Sequence, residues 1–409
     1  MPRFWCGIDW SESTNGVAVV DKTGTVVAHI RGEEAPTGVE EILALLLGLR
    51  TSHTHSRKHV PVAIETRHGL LVAGLRAKGQ PVVAINPSVV ARYRGRASPA
   101  RRKSDRTDAV LLANVLRTDG ALHRYLPHLT DQAQAVTVLA RAQRDAIHMR
   151  QHHAHQVHSI LRTYYPAALL AWRDLHGGLV RAEARAFLAL APTPRQGAAL
   201  TRRKIADTLA AGRFRLVDEH AARLHEILQQ HQLRHAAALE EALGHRMLAA
   251  LRQLDDACTN VEHLTAKATD AFHAHPHAPI YATLPAVGPI IGARLLGEIG
   301  DDPDRFTTAR GLRAYAGVAP LTWESSTSRV VTHRRIANRN LKEVGHHWAF
   351  ASLTRSAGCR AHYDRRRAHG DRYAAALRHL YGKLLSSLHH CLKHGVPYRE
   401  ETAFPPRER

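Results

Sequence analysis

The chain has 409 residues, 44% of them hydrophobic, which allows two or three domains with sizeable cores. Lys and Arg total 57 against 36 Asp and Glu, a formal net charge of +21; that excess points to a polyanionic partner, nucleic acid before a membrane surface. There is no apolar run of about 18 residues and no isolated basic amphipathic tail, so a membrane partner is not expected. No signal peptide is evident at Met1-Pro2-Arg3-Phe4-Trp5. The four cysteines (Cys6, Cys258, Cys359, Cys391) lie far apart without a CxxC pair. That spacing argues against a disulfide framework or zinc ribbon and suits a reducing cytoplasm.

In chain order, Phe4–Asp9, Val17–Asp21 and Thr25–Ile30 read as short strands joined by tight turns, an antiparallel meander. Val39–Leu49 has the apolar density of a helix. Val60–Glu65 is a buried strand, Gly69–Ala77 a helix and Pro81–Asn86 a fifth strand, so a right-handed parallel crossover follows the meander. The expected fold of this first part, residues 1–125, is mixed α/β.

Functional groups in such sheets collect beyond the carboxyl ends of the strands. Asp9 and Glu65 each end an apolar strand, and Asp105 and Asp108 open the helix after the fifth strand. An Asp cap with an acidic first turn would explain the last two locally. Set beside Asp9 and Glu65, they make a four-carboxylate cluster that would repel itself unless cations neutralise it. Oxygen-only donors favour Mg²⁺, with Mn²⁺ as a substitute, and such ions assist phosphodiester displacement. Arg92, Arg94, Arg96, Arg101, Arg102 and Lys103 lead into the acidic pair through what reads as a loop, and are expected to contact phosphates.

Residues 126–275 carry almost no strand signal. Gln132–Leu161 and Phe214–Phe272 have apolar spacings of three and four, predicting a long, coiled-coil-like helix pair that suits oligomerisation. Arg202-Arg203-Lys204 suggests nucleic acid along one side. The chain has 31 histidines. His155 and His158 can share a helix face, but no Cys or carboxylate completes a tetrahedral set. His273, His275 and His277, among prolines, read as a linker.

Residues 276–400 form a third, helical region. Leu284-Pro285-Ala286-Val287-Gly288-Pro289 resembles a helix-hairpin-helix turn, whose N–H groups face phosphate. Gly317–Ser328 reads as a loop rich in hydroxyls, followed by Arg329, Arg334, Arg335 and Arg339. A serine there is a nucleophile candidate beside phosphate-binding arginines.

The order of Gly7-Ile8-Asp9-Trp10, Ala63-Ile64-Glu65-Thr66, Lys103–Ala109, Leu284–Pro289, Glu298-Ile299-Gly300-Asp301 and Leu312–Pro320 resembles the DEDD-type insertion-sequence transposases of the one-ten family. The resemblance spans both ends of the chain and implies an N-terminal RNase H/RuvC-like domain. It also implies a two-part active site: Asp9, Glu65, Asp105 and Asp108 holding Mg²⁺, and a C-terminal serine that attacks DNA to give a covalent phosphoserine. Ser325 falls at the serine position. Ser326 stands where the family usually has glycine, so both serines remain candidates. The segment Ile336-Ala337-Asn338-Arg339-Asn340 lacks the glycine of the family's Lys-Arg-Gly-Asn. Further implied partners are donor and target DNA, a noncoding bridge-type RNA that guides the enzyme, and further copies of the chain in dimers and tetramers, in a prokaryotic cytosol near the nucleoid.

The residues leave three alternatives. A metal-dependent nuclease of the Holliday-junction-resolvase kind would use the four acids and water. A sugar- or acetate-kinase-like protein would share the opening Gly7-Ile8-Asp9, but the chain lacks a later Gly-rich phosphate loop. A noncatalytic scaffold would leave the four acids without a role.

Overall fold

The computed structural model describes residues 3–49, 60–97, 105–212, 214–325 and 328–405. The chain forms two compact units, Met1–His128 and Leu129–Arg409. No helix among the described residues is long and apolar enough to cross a membrane.

The first unit is built on a five-stranded sheet: β1 (Phe4–Asp9), β2 (Thr14–Asp21), β3 (Val26–Glu33), β4 (Val62–Ile64) and β5 (Val82–Ala84), in the order β3-β2-β1-β4-β5. β1, β2 and β3 pair antiparallel, whereas β1 pairs parallel with β4 and β4 with β5. The meander and crossover therefore stand as the sequence indicates, with β2 starting three residues earlier than its apolar run suggests.

Alternation along the strands divides the core in two. Ile8, Val17, Val19, Val62 and Ile64 pack under α1 (Pro36–Gly48) and α2 (Leu70–Ala77). Ala63, Val83 and Ile85 face the opposite way, onto Val90 of α3 (Pro87–Ala97) and Leu112, Val115 and Leu116 of α4 (Asp105–Asp119). Gly7 sits on this second side. A Cβ there would collide with the Ala109 carbonyl oxygen and the Ala113 amide, so the backbone of α4 rests directly on β1.

The stretch Arg92–Ala97, expected as loop, is helical. Asn86 starts α3, its carboxamide oxygen accepting from the Ser88 amide at 2.9 Å and its carbonyl from Val89 and Val90. Pro87 follows at the first helical position, where its missing N–H costs nothing. Val90 and Tyr93, three apart, then hold the helix on the α4 side of the core; the density of arginine concealed that stripe.

Among its described residues the second unit is helical except for one hairpin. Its spine is α5 (Asp131–Tyr164), followed by α6 (Pro166–Trp172), α7 (Ala182–Leu190), α8 (Pro194–Ala198), α9 (Arg202–Ala211), α10 (Val217–Gln229) and α11 (Ala237–His273). α5 and α11 run antiparallel: Gln143 meets Thr265, and His235 meets the Thr163 carbonyl near the other end. The continuous helix expected over Phe214–Phe272 is instead two helices, α10 and α11. Gln230, at β-region dihedrals, ends α10, and α10 folds back onto a separate core with α6 and α9.

The chain continues through α12 (Ala278–Ala282), α13 (Pro289–Ile299) and α14 (Ala309–Tyr315) to the hairpin β6 (Pro320–Glu324) and β7 (Arg329–His333). It closes with α15 (Arg339–Ser352), α16 (Ala357–Ala368), α17 (Tyr373–His394) and α18 (Glu400–Ala403). The hydroxyl-rich stretch Gly317–Ser328, expected as loop, therefore contains a strand, β6: its Leu321-Thr322-Trp323 pairs with Thr332-Val331-Val330 of β7, and all six residues are β-forming. His275 is a correction as well. It is buried rather than part of a solvated linker, and its Nε2 lies 3.3 Å from Asp301.

Glu298 ties this unit together. It is 4% exposed, on α13 between apolar neighbours. Arg141 of α5 forks onto it at 2.8 and 2.9 Å, and the amides of Asn338 and Asn340 donate at 2.6 and 2.7 Å. Asn338 also donates to the Tyr315 hydroxyl and caps α15 by accepting from the Leu341 amide. One carboxylate thus joins α5, α13 and the segment leaving β7. Burial pushes the Glu298 carboxyl up, and the hydrogen bonds from Arg141, Asn340 and Asn338 more than offset it, leaving it below its ordinary value.

Gly7→Ala is expected to destabilise the first unit by about 3 kcal/mol, since the obstacle is backbone. Gly48→Ala, with open space around it, should change stability by less than about 0.5 kcal/mol. Amide hydrogen exchange of β1 and β4 in the two variants checks this. Glu298→Gln is expected to cost about 3 kcal/mol at neutral pH by leaving Arg141 without its counter-charge. A depressed carboxyl pKa stabilises above its unfolded value, and that contribution is lost as pH falls through the folded value. The gap between wild type and Glu298→Gln, read from denaturant unfolding, should therefore narrow below about pH 4.

Candidate active site

β1 and β4 run side by side in parallel with Gly7 opposite Ala63 and Ile8 opposite Ile64. Asp9 closes β1 and Glu65 is the first residue past β4, so the two acids occupy matching positions on the same sheet edge. Asp9 lies two residues beyond Gly7, and Glu65 two beyond Ala63; both positions belong to the face that α4 covers. The close approach at Gly7 fixes Ala109 against β1, and Asp108 precedes it in the first turn of α4. Three of the four expected acids thus arrive at one end of the sheet from three separate elements. Asp105 starts α4, and its side chain lies outside the described residues.

Asp108 is 2% exposed. Arg94 of α3 grips it with a two-pronged ion pair, Nε to Oδ1 at 3.0 Å and Nη2 to Oδ2 at 2.9 Å. This fork geometry is among the stronger charge-assisted contacts. Arg94, expected to meet phosphate, pairs in this structure with one of the acids. The sequence spacing offered no sign of this, because the segment read as loop and the contact spans two helices.

A second support lies behind Glu65. Asn15, fully buried in β2, donates to Glu34 Oε2 at 2.9 Å, and Glu34 Oε1 accepts from the Leu71 amide at the start of α2 at 3.4 Å. The turn carrying Glu65 is therefore held by the sheet on one side and by Glu34 on the other. Thr66 tightens it further by bonding the His68 backbone in both directions, at 3.0 and 3.1 Å. Glu34 was missed because an acid between a strand and a helix resembles any polar connection.

Among the described residues no three His, Cys, Asp or Glu side chains gather at metal-holding distance. The donors at this edge are all carboxylate oxygens, the chemistry that hard divalent cations take. The buried Asp108 already requires a cationic partner, which Arg94 supplies. The donor type suits a divalent cation, while both Asp108 oxygens are turned to Arg94. His155 and His158 are exposed on α5. The four cysteines are buried free thiols, and burial pushes Cys6 up to about 12.

In the second unit, Ser325 sits exposed at the tip of the β6–β7 hairpin. Its amide donates to the Ser328 carbonyl at 2.8 Å, and the two hydroxyls lie 2.9 Å apart. Ser326 lies outside the described residues. Trp323 beside this tip is 65% exposed. Arg329, Arg335 and Arg339 are exposed on the strand and segment that follow, and Arg334 is half-buried. On α3, Arg92 is exposed, while the Arg96 side chain and all of Arg101, Arg102 and Lys103 lie outside the described residues. The turn at Leu284–Pro289 does join two helices, α12 and α13, and its Pro285 carbonyl accepts from Trp348 and Ser352.

Arg141, Asn338 and Asn340 were also missed. The legible signal was Glu298 itself, an acid amid Leu295, Leu296 and Ile299 that no helix would bury without partners.

Two family models match the chain. One, described as a transposase of the DEDD type associated with IS110, covers residues 6–166, and the other, described as the IS116/IS110/IS902 transposase family, covers residues 278–364. The chain is 48% identical to the mini-circle protein for IS117 of Streptomyces coelicolor, over 98% of this chain and 97% of that one. It is 25% identical to the 42 kDa protein of insertion element IS900 of Mycobacterium paratuberculosis, over 97% and 98% of the two chains. It is 26% identical to the 44.8 kDa protein of insertion element IS116 of Streptomyces clavuligerus, over 92% and 91%. The first family model ends inside α5 and begins before Asp9, so it takes in all four N-terminal acids and Arg141; the second takes in Glu298, Ser325, Asn338 and Asn340. With two matching models in the expected order and a full-length relative at near half identity, the chain belongs to the IS110 family of transposases.

Proposed function

We propose that this transposase cuts and rejoins DNA through a serine nucleophile, with Asp9, Glu65, Asp105 and Asp108 holding Mg²⁺ and a bridge-type RNA choosing the sites. The observation that carries the reading is the register of β1 and β4, which sets Asp9 and Glu65 side by side, with α4 delivering Asp108 to the same edge.

Asp9, Glu65, Asp105 and Asp108 would hold the divalent cation, which would supply stabilisation of the negative charge on the phosphate oxygens. The Ser325 hydroxyl attacks the phosphorus of a DNA phosphodiester. A serine O–P bond forms, the bond to one DNA oxygen breaks, and that oxygen leaves as a hydroxyl after taking up a proton. A hydroxyl of the exchanging strand then attacks the phosphoserine, restoring a phosphodiester and freeing the serine. Each step exchanges one phosphate ester for another, so no external energy source is needed. The exposed tip position of Ser325 and the arginines that follow it suit this role.

The net charge of +21 supports binding of both DNA and RNA. Base pairing by the RNA supplies sequence choice, and the protein supplies backbone contacts from Arg92, Arg96, Arg101, Arg102, Lys103, Arg329, Arg334, Arg335 and Arg339. The α5–α11 pair serves assembly into dimers and tetramers. Val138 and Met149 of α5, 66% and 51% exposed, offer apolar contacts for it.

Ser325→Ala is expected to abolish the covalent protein–DNA adduct and to lower strand cleavage on the order of 10⁴-fold. Ser326→Ala should keep both. Denaturing gel electrophoresis of the protein with end-labelled DNA reads the two directly. Retained cleavage without adduct in Ser325→Ala would point to water as the nucleophile. An adduct lost only in Ser326→Ala would move the role to Ser326.

A further inference from the structure

The pairing between Arg94 and Asp108 reaches beyond the reaction described above. Guanidinium is charged at every accessible pH, so protonation cannot release it. Asp108 is nearly fully buried, and removing Arg94 without replacement would strand a charge in the core. Only another cation can take its place at low cost. The backbone of Arg94 has little freedom to retreat: Val90, one turn earlier, is fully buried against α4, and the neighbouring Tyr93 hydroxyl donates to Asp119. The Arg94 side chain is 27% exposed and can leave the carboxylate for solvent or for an anion without moving α3.

We propose that Arg94 is the resident counter-cation of Asp108 and competes with the divalent cation for that carboxylate. In the metal-free protein the fork occupies both Asp108 oxygens and holds the carboxylate in place. As the divalent cation enters, Arg94 gives up the carboxylate and its guanidinium becomes free for a phosphate of the nucleic acid. The exchange never leaves the buried Asp108 without a cation, and it lowers affinity for the divalent ion until phosphate is present to receive the arginine. Arg94 is a positioning residue in this scheme, acting through Asp108. The inference rests on the proposed reading of the four acids as a cation site.

The test uses the full-length protein without nucleic acid, titrated with Mn²⁺ while the signal of the free ion is followed by electron paramagnetic resonance. Arg94→Met is expected to bind Mn²⁺ about tenfold more tightly than wild type. Arg94→Lys, which keeps the charge but cannot fork, should fall between them. Equal or weaker binding in both variants would overturn the competition. Asp9→Asn separates the two levels of the argument. If wild type binds an ion that Asp9→Asn loses, the cation site stands and the Arg94 variants decide the inference. If Asp9→Asn binds as wild type does, or neither binds, the cation site and the competition fall together. A second readout needs no variant: modification of Arg94 by phenylglyoxal, located by mass spectrometry, should rise several-fold when Mn²⁺ is added. No change on loading would count against the exchange.

Discussion

The contact on which the first unit depends is the seating of α4 on β1 at Gly7. No side chain other than hydrogen fits between the strand and the Ala109 carbonyl. That approach sets the depth and register of the helix relative to the sheet, and hence where its first turn ends up. Asp108 is carried to the strand ends because Ala109, its neighbour, is the residue pressed against Gly7. The parallel pairing of β1 with β4 does the rest, since it makes Asp9 and Glu65 adjacent. Chemistry at this edge is therefore set by backbone geometry, and the carboxylates follow from it.

A buried or partly buried carboxylate is costly unless it is paired, and the first unit supplies partners. Asp108 has Arg94, and Glu34 has the Asn15 amide and the Leu71 N–H. The second unit solves the same problem at Glu298, where Arg141, Asn338 and Asn340 surround one buried carboxylate. The two solutions differ in consequence. Glu298 takes four short donor bonds from three residues, Arg141, Asn338 and Asn340, and works as a fixed joint, holding the start of α15 just past the β6–β7 hairpin. Among the described residues Asp108 is paired by one arginine, whose side chain still reaches solvent.

The hairpin is the other unusual element. Two strands alone are marginal in water, and this pair exposes Trp323, Val330 and Val331. Its support comes from the segment beyond β7, where the Asn338 amide donates to the Tyr315 carbonyl and its side chain caps α15. The serine tip thus projects from an anchored base, with Arg329 opposite Glu324 beside the tip and Arg334, Arg335 and Arg339 following β7 at the anchored end.

The sequence by itself determined the strand-and-helix order of the first unit, because alternation and tight turns are local signals. It also determined the positions of Asp9, Glu65 and Asp108 at element ends, the helical character of the middle, and the strong positive charge. Family membership was legible for the same reason: the motifs are short, contiguous and ordered. Tertiary structure alone decided the rest. Arg92–Ala97 is a helix because Val90 and Tyr93 find a core that the arginines obscured, and Pro320–His333 is a hairpin because each half pairs with the other. The run expected as one helix after Phe214 breaks because α10 packs on a core built from α6 and α9. Arg94, Glu34, Arg141, Asn338 and Asn340 gained their roles only through partners 14 to 157 residues away. Local pattern records what a segment prefers; which charge meets which is fixed only when distant segments pack.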